Sequence, residues 1–124
     1  MGGFLSSRST AATSESSGVV QFHFPELWQF HFNQIKDSSH LVVIDFSATW
    51  CGPCRFMEPV IKEMAGMFTN VEFVKIDVDE LSDVAQEFKV QAMPTFLFVK
   101  KGKEVDRLVG AKKEDLLNKI HKYQ

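Results

Sequence analysis

The chain has 124 residues, of which 44% are hydrophobic and 24% charged, with a formal net charge of −2. That is the length of one domain, with enough apolar material for one core. The near-neutral balance lacks the basic footprint of a nucleic-acid binder, and no apolar run approaches the roughly 20 residues that span a bilayer.

Residues 1–18 are mostly Gly, Ser, Thr and Ala. They offer too little apolar surface to offset the entropy of ordering, which predicts a flexible N-terminal extension. Its start, Met1-Gly2-Gly3-Phe4-Leu5-Ser6, fits the N-myristoylation pattern with Gly2 as acceptor. One such chain gives weak, reversible membrane contact, and no second anchor accompanies it. A transit peptide is the weaker reading of the same Ser-rich stretch, because Arg8 is its sole basic residue. No basic-then-apolar signal-peptide pattern is present, so secretion is not expected.

The regular pattern starts at Val19, with a short strand predicted to His23. Pro25 suits the first turn of a helix, and Leu27, Trp28, His31, Phe32 and Ile35 recur at helical spacing up to the Asp37-Ser-Ser39 break. Leu41 to Ser47 is the continuous apolar run of a parallel strand covered on both faces. A helix follows from about Cys51 to Phe68, with Phe56, Met57, Val60, Ile61, Met64 and Met67 read as its inner side and Pro59 as a kink. Val71 to Asp77 reads as a second buried strand. Leu81, Val84, Ala85 and Phe88 mark a short helix. Thr95–Val99 and Glu104–Val109 form a hairpin across Lys100–Lys103. Leu116, Leu117 and Ile120 face a final helix inward. The order βαβαβαββα implies an α/β domain with a mixed sheet and helices on both sides.

The two cysteines stand at the junction of the buried strand and the long helix, in Trp50-Cys51-Gly52-Pro53-Cys54. A cysteine at a helix N-terminus faces unpaired amides and the positive end of the dipole, which favour thiolate. Cys51 is therefore the expected nucleophile. Cys54, one turn on, is the resolving thiol and is expected to be the more buried of the two. Gly52 lets a partner chain approach closely, and Pro53 stiffens the turn. The competing reading is half a zinc site, but zinc needs four ligands. No second C-x-x-C exists, and His23, His31, His40 and His121 lack ligand spacing.

Asp45 interrupts the apolar strand six positions before Cys51. Burial would raise its pKa and let it relay protons to or from Cys54; the alternative is an acid at a solvated strand end. Lys75, in the next strand, is a candidate partner for Asp45, with a plain surface lysine as the alternative. Met93-Pro94, just before an apolar strand, is a candidate cis bond.

Taken together, these pieces resemble thioredoxin over Val19 to the C-terminus, about five-sixths of the chain. Trp50-Cys-Gly-Pro-Cys54 matches that family's active site residue for residue. Asp45 matches its buried acid, Lys75 the acid's partner, Met93-Pro94 the cis-proline loop, and Val109-Gly110-Ala111 the loop completing the substrate groove. Phe46-Ser-Ala-Thr-Trp-Cys-Gly-Pro-Cys-Arg55 with the Met-Gly-Gly start looks like a plant h-type member with an N-terminal extension. Ser47 stands where bacterial members carry Trp, which fits that subgroup.

The resemblance implies a thioredoxin fold at 19–124, a central mixed five-stranded sheet flanked by four helices. It implies a protein-disulfide reductase working through a mixed disulfide, holding no cofactor of its own. Electrons would come from NADPH through a flavoenzyme, thioredoxin reductase, or through glutaredoxin. Targets would dock in an apolar groove of Trp50, Gly52, Pro53, Met93, Pro94, Val109, Gly110 and Ala111, adding backbone at Met93. A cytoplasmic monomer is expected, touching endomembranes if Gly2 is acylated; a mitochondrial location is less expected. Pro53 between the cysteines, where oxidases and isomerases carry His, favours the reductant. A chaperone-like binding module and a membrane-docked redox mediator are the other classes compatible with the chain.

Overall fold

In the computed structural model, the described residues are 12–124; residues 1–11, with Gly2 and Arg8, lie outside them. The elements run β1 (Thr13–Ser16), β2 (Val19–Phe22), α1 (Pro25–Ile35), β3 (Val42–Ser47), α2 (Gly52–Met67), β4 (Glu72–Asp77), α3 (Ser82–Glu87), β5 (Thr95–Lys100), β6 (Lys103–Val109) and α4 (Lys113–Tyr123). One sheet takes the order β1-β2-β4-β3-β5-β6. The β2–β4 and β4–β3 pairs are parallel, and the others antiparallel.

This is the expected fold, with six strands among the described residues instead of five. The added strand is β1, inside the stretch read as a flexible extension. Its residues are half-buried or exposed, so burial does not hold it. It is held by backbone pairing to β2 through a two-residue turn, Ser17-Gly18, with both φ angles positive (54° and 85°). Such a turn matches the twist of a hairpin.

Successive residues of a strand face opposite sides of a sheet, and β3 feeds two cores. Val43 packs with Phe73, Phe96 and Phe98 against Met57, Ile61 and Met64 of α2 and Leu116 and Ile120 of α4. Ile44 and Phe46 pack with Val74, Ile76 and Leu97 against Trp28 and Ile35 of α1 and Val84 and Ala85 of α3. Pro25 opens α1, as its fixed φ and missing donor suit. Pro59 lies inside the single helix α2.

Two of the residues read as inward on α2 point out: Phe56 and Met67 are 64% and 58% exposed. The buried stripe runs through Cys54, Met57, Val60, Ile61 and Met64. Phe56 lies two residues from Cys54, about 200° round the helix. Met67 sits in the last turn, where Phe68 is the residue that goes in.

Candidate functional site

The loop leaving β3 turns through Trp50 and delivers Cys51 as the N-cap of α2. Cys51 and Cys54 are joined as a disulfide, with their Cα atoms 5.3 Å apart. The Cys54 backbone N–H donates to Cys51 Sγ at 3.2 Å. This is one of the orphan amides of the helix start, and it points at the sulfur that would carry negative charge. Both cysteines are 5% exposed, so the expected difference in burial is absent in the disulfide form. The asymmetry between them is the amide contact.

The Met93–Pro94 bond is cis, and the Met93 carbonyl oxygen lies 3.7 Å from Cys51 Sγ. Ala48, Cys51 and Cys54 pack together with Val78 and Met93 against them. The Gly110 N–H donates to the Pro94 carbonyl at 2.8 Å, tying the loop after β6 to the cis-proline turn. Gly110 has φ +107°, a conformation that side chains disfavour. Trp50, Gly52, Pro53 and Val109 are exposed beside the disulfide, Met93 is half-buried and Pro94 buried. Ala111 is half-buried and packs on the α2/α4 core, so it is turned inward where Val109 is exposed.

Two residues that the sequence did not single out shape this site. Asp79 accepts a hydrogen bond from Trp50 Nε1 at 2.8 Å, which holds an indole that is 64% exposed. Its backbone N–H donates to Asp77 Oδ1, and that Asx turn after β4 was the available signal. The second is Glu58.

Asp45 lies in β3, paired in register with Lys75 of β4 and Phe96 of β5. It is 5% exposed, and its Oδ1 has no hydrogen-bond partner among the described residues. Burial pushes its pKa from 3.8 up to about 7, with the Lys75 ammonium opposing the rise and the Glu58 carboxylate adding to it. Lys75 does not bond to Asp45. Its Nζ donates to Glu58 Oε2 at 2.9 Å. Glu58 is half-buried and follows Cys54 by four residues on the same helix. It therefore carries the polar cluster from the strands up to the dithiol. A cavity of about 210 Å³ is lined by Cys54, Glu58, Lys75, Asp77 and Ser47 among others. No group of three or more His, Cys, Asp or Glu side chains among the described residues is arranged to hold a metal ion.

The thioredoxin family model matches residues 25–122. The chain is 55% identical to thioredoxin H2 of Arabidopsis thaliana, over 98% of each chain. It is 50% identical to thioredoxin H2-2 of Oryza sativa subsp. japonica, over 99% of this chain and 96% of the other. Among solved structures it is similar to thioredoxin NaTrxh from Nicotiana alata. There the TM-score is 0.86 at 63% identity, covering 90% of this chain and 96% of that one. A poplar thioredoxin h, PtTrxh4, superposes with a TM-score of 0.79 at 37% identity, covering 85% and 95%.

Proposed function

The chain belongs to the thioredoxin family, and on that premise we propose how its residues divide the reduction of target-protein disulfides. The redox centre is the Cys51–Cys54 pair, working through a mixed disulfide. In the reduced protein, Cys51 has lost its proton to solvent, favoured by its place at the N-terminus of α2. Its thiolate attacks one sulfur of the target disulfide. A Cys51–target bond forms, and the other target sulfur leaves as a thiolate and takes a proton from solvent. Asp45, as carboxylate, takes the Cys54 proton through water. The Cys54 thiolate then attacks Cys51 Sγ, and the second target sulfur leaves and is protonated. Two electrons pass to the target, and the protein is left in the disulfide form.

Asp45 suits the relay because its pKa of about 7 lets it both take and return a proton near neutrality. Lys75 and Glu58 act on Asp45 through their charges. Trp50, Gly52, Pro53, Met93, Pro94, Val109 and Gly110 form the docking groove, with Ala111 turned inward. An NADPH-dependent thioredoxin reductase returns the electrons, glutaredoxin being the alternative. Residues 19–124 are the catalytic domain and 1–18 the extension. The protein acts as a cytoplasmic monomer with endomembrane contact through acylated Gly2.

The observation that carries the reading is the Cys51–Cys54 disulfide capping α2 with an amide on the Cys51 sulfur. The test is reduction of insulin, driven by dithiothreitol and then by NADPH with either reductant. Cys51→Ser should abolish it, and activity surviving that change would falsify the mechanism. Cys54→Ser should trap targets on Cys51 as mixed disulfides. For the extension, intact-mass measurement after co-expression with an N-myristoyltransferase should show the added acyl group; an unchanged mass removes that part of the proposal.

A further inference from the structure

The polar residues beside Asp45 do not end at Lys75. Across the sheet, Asp45 pairs with Lys75, Lys75 with Gln21, and Gln21 with Ser14. Residues directly opposite on neighbouring strands share a face. The four therefore form one lateral row under α2, from the buried carboxyl to the edge strand β1. On the same face Val43, Phe73, Phe96 and Phe98 are apolar core, and the polar positions Ser47 and Asp77 come only where β3 and β4 end.

A cavity of about 260 Å³ lies along this row. Its lining includes Asp45, Lys75, Gln21, Glu58, Ser14 and Glu15. A water's share of liquid volume is about 30 Å³, so the space has room for several waters, and its walls supply polar partners. The carboxyl that opens on it has an oxygen with no hydrogen-bond partner among the described residues. The outer wall is β1, and β1 is pinned at a defined point. Ser14 Oγ and His23 Nε2 are 2.9 Å apart, and His23 Nδ1 lies 2.9 Å from Glu80 Oε1. The His23 N–H donates to the Ala12 carbonyl at 3.1 Å.

We propose that β1 is the outer wall of the proton route to Asp45, with Gln21 and Ser14 as positioning residues that line water from the buried carboxyl to the sheet edge. With β1 seated, Asp45 exchanges protons through a polar channel walled on its outer side by β1. With β1 released, the channel opens to bulk water along its length. The inference rests on the relay reading of Asp45 and adds the N-terminal strand to it. The extension then sets the pH range over which the dithiol turns over, without touching the target.

The charged groups facing the channel fix the direction of the effect. They are Lys75 from β4 and Glu58 and Lys62 from α2, while Glu15, which also lines the cavity from β1, pairs with Val20 on the alternate register position; β5 presents Phe96 and β2 presents Val19 and Gln21, which carry no charge. Opening the β1 side solvates the carboxylate and moves Asp45 back toward its ordinary value. Replacing Gln21 by an apolar residue removes a donor for the carboxylate's waters and moves it the other way.

The test follows the Asp45 carboxyl carbon by NMR against pH in the full chain. The His23–Ala12 hydrogen bond makes Ser14 and Gln21 the next hydrogen-bonded pair of the ladder. Ser14→Pro therefore removes a donor that β1 needs, and the His23 contact with it. Loss of amide protection along β2 reports the release. The expected result is a midpoint lower by about one pH unit, tenfold in proton affinity, in Ser14→Pro, and a raised midpoint in Gln21→Leu. An unmoved midpoint with β2 protection lost overturns the proposal. Where protection persists, Gln21→Leu decides, and an unmoved midpoint there overturns it. Insulin reduction by Asp45→Asn at the parent's rate would overturn the relay reading separately, since the titration needs no turnover.

Discussion

The two faces of the central sheet are built from the same strands and differ in one row. On the α1/α3 face, Trp28, Ile44, Phe46, Ile76 and Leu97 are at most 1% exposed, and Thr95, opposite Phe46, is a buried polar residue whose hydroxyl donates to the Ala92 carbonyl. On the α2/α4 face, the same strands place Asp45 between Val43 and Ser47, with Lys75 and Gln21 in line beside it. One face is given over to cohesion and buries no charged side chain among the described residues. The other gives up part of its apolar area to keep a carboxyl where it is costly to ionise, beside the helix that begins with Cys51 and carries Cys54. Stability and reactivity are thus separated by the alternation of side chains along β3, over a distance of one residue.

The largest effect that tests this separation is on the cohesive face. Trp28 is 1% exposed and meets Phe22, Phe32 and Phe88 edge-on or tilted. Trp28→Ala should cost about 3–5 kcal/mol in urea unfolding, a large part of a typical domain's stability. The fraction still folded should keep the parent's redox potential and pH profile. A shifted profile would mean that the faces are coupled.

Asp45→Asn tests the other face and should act with the opposite sign. The folded carboxyl has its pKa raised from 3.8 to about 7, so between those values the folded chain holds a proton that the unfolded chain has lost. Stability therefore falls as pH rises through that window. Asparagine removes the cost of the charge. The variant should exceed the parent above pH 7 by up to about 4 kcal/mol, and the gain should vanish near pH 4. Insulin reduction should slow by about 10²-fold, the lower end for losing a proton-transfer group, since water substitutes in part. Parallel urea curves at pH 4 and pH 8 check the first statement, and initial rates check the second.

Much of this contrast is legible in the sequence. The apolar run Leu41–Ser47 broken by Asp45 reports a buried acid, and Trp50–Cys54 at a strand–helix junction reports an activated dithiol. What is not legible depends on contacts that burial patterns do not encode. β1 has half-buried and exposed side chains and is held by its backbone, so hydrophobic periodicity passes over it; Ser17-Gly18 was the only local sign. Glu58 sits one position after a core methionine and reads as a solvated helix charge. Its role appears only when the β3–β4 register brings Lys75 beneath α2. The sequence pairs Lys75 with Asp45 because both lie in neighbouring strands. In the fold, Lys75 takes the more accessible carboxylate, which keeps its charge at lower energetic cost than the buried one.

That choice of partner sets up the smallest effect, at the centre of the functional face. The Glu58 carboxylate raises the Asp45 pKa directly, and it also occupies the ammonium that would lower it. Glu58→Gln keeps an oxygen for Lys75 to bond and removes the negative charge. Both consequences favour ionised Asp45, so its midpoint should fall, by about half a pH unit for charges partly screened at a half-buried site. Lys75→Met removes the opposing positive charge and should raise the midpoint. Because the two substitutions lie on the same cavity wall, a packing effect would move the midpoint alike in both. Opposite shifts, followed by carboxyl-carbon NMR from pH 4 to pH 9, identify charge as the cause. Shifts of one sign would mean that the row beneath α2 tunes Asp45 by solvent access alone.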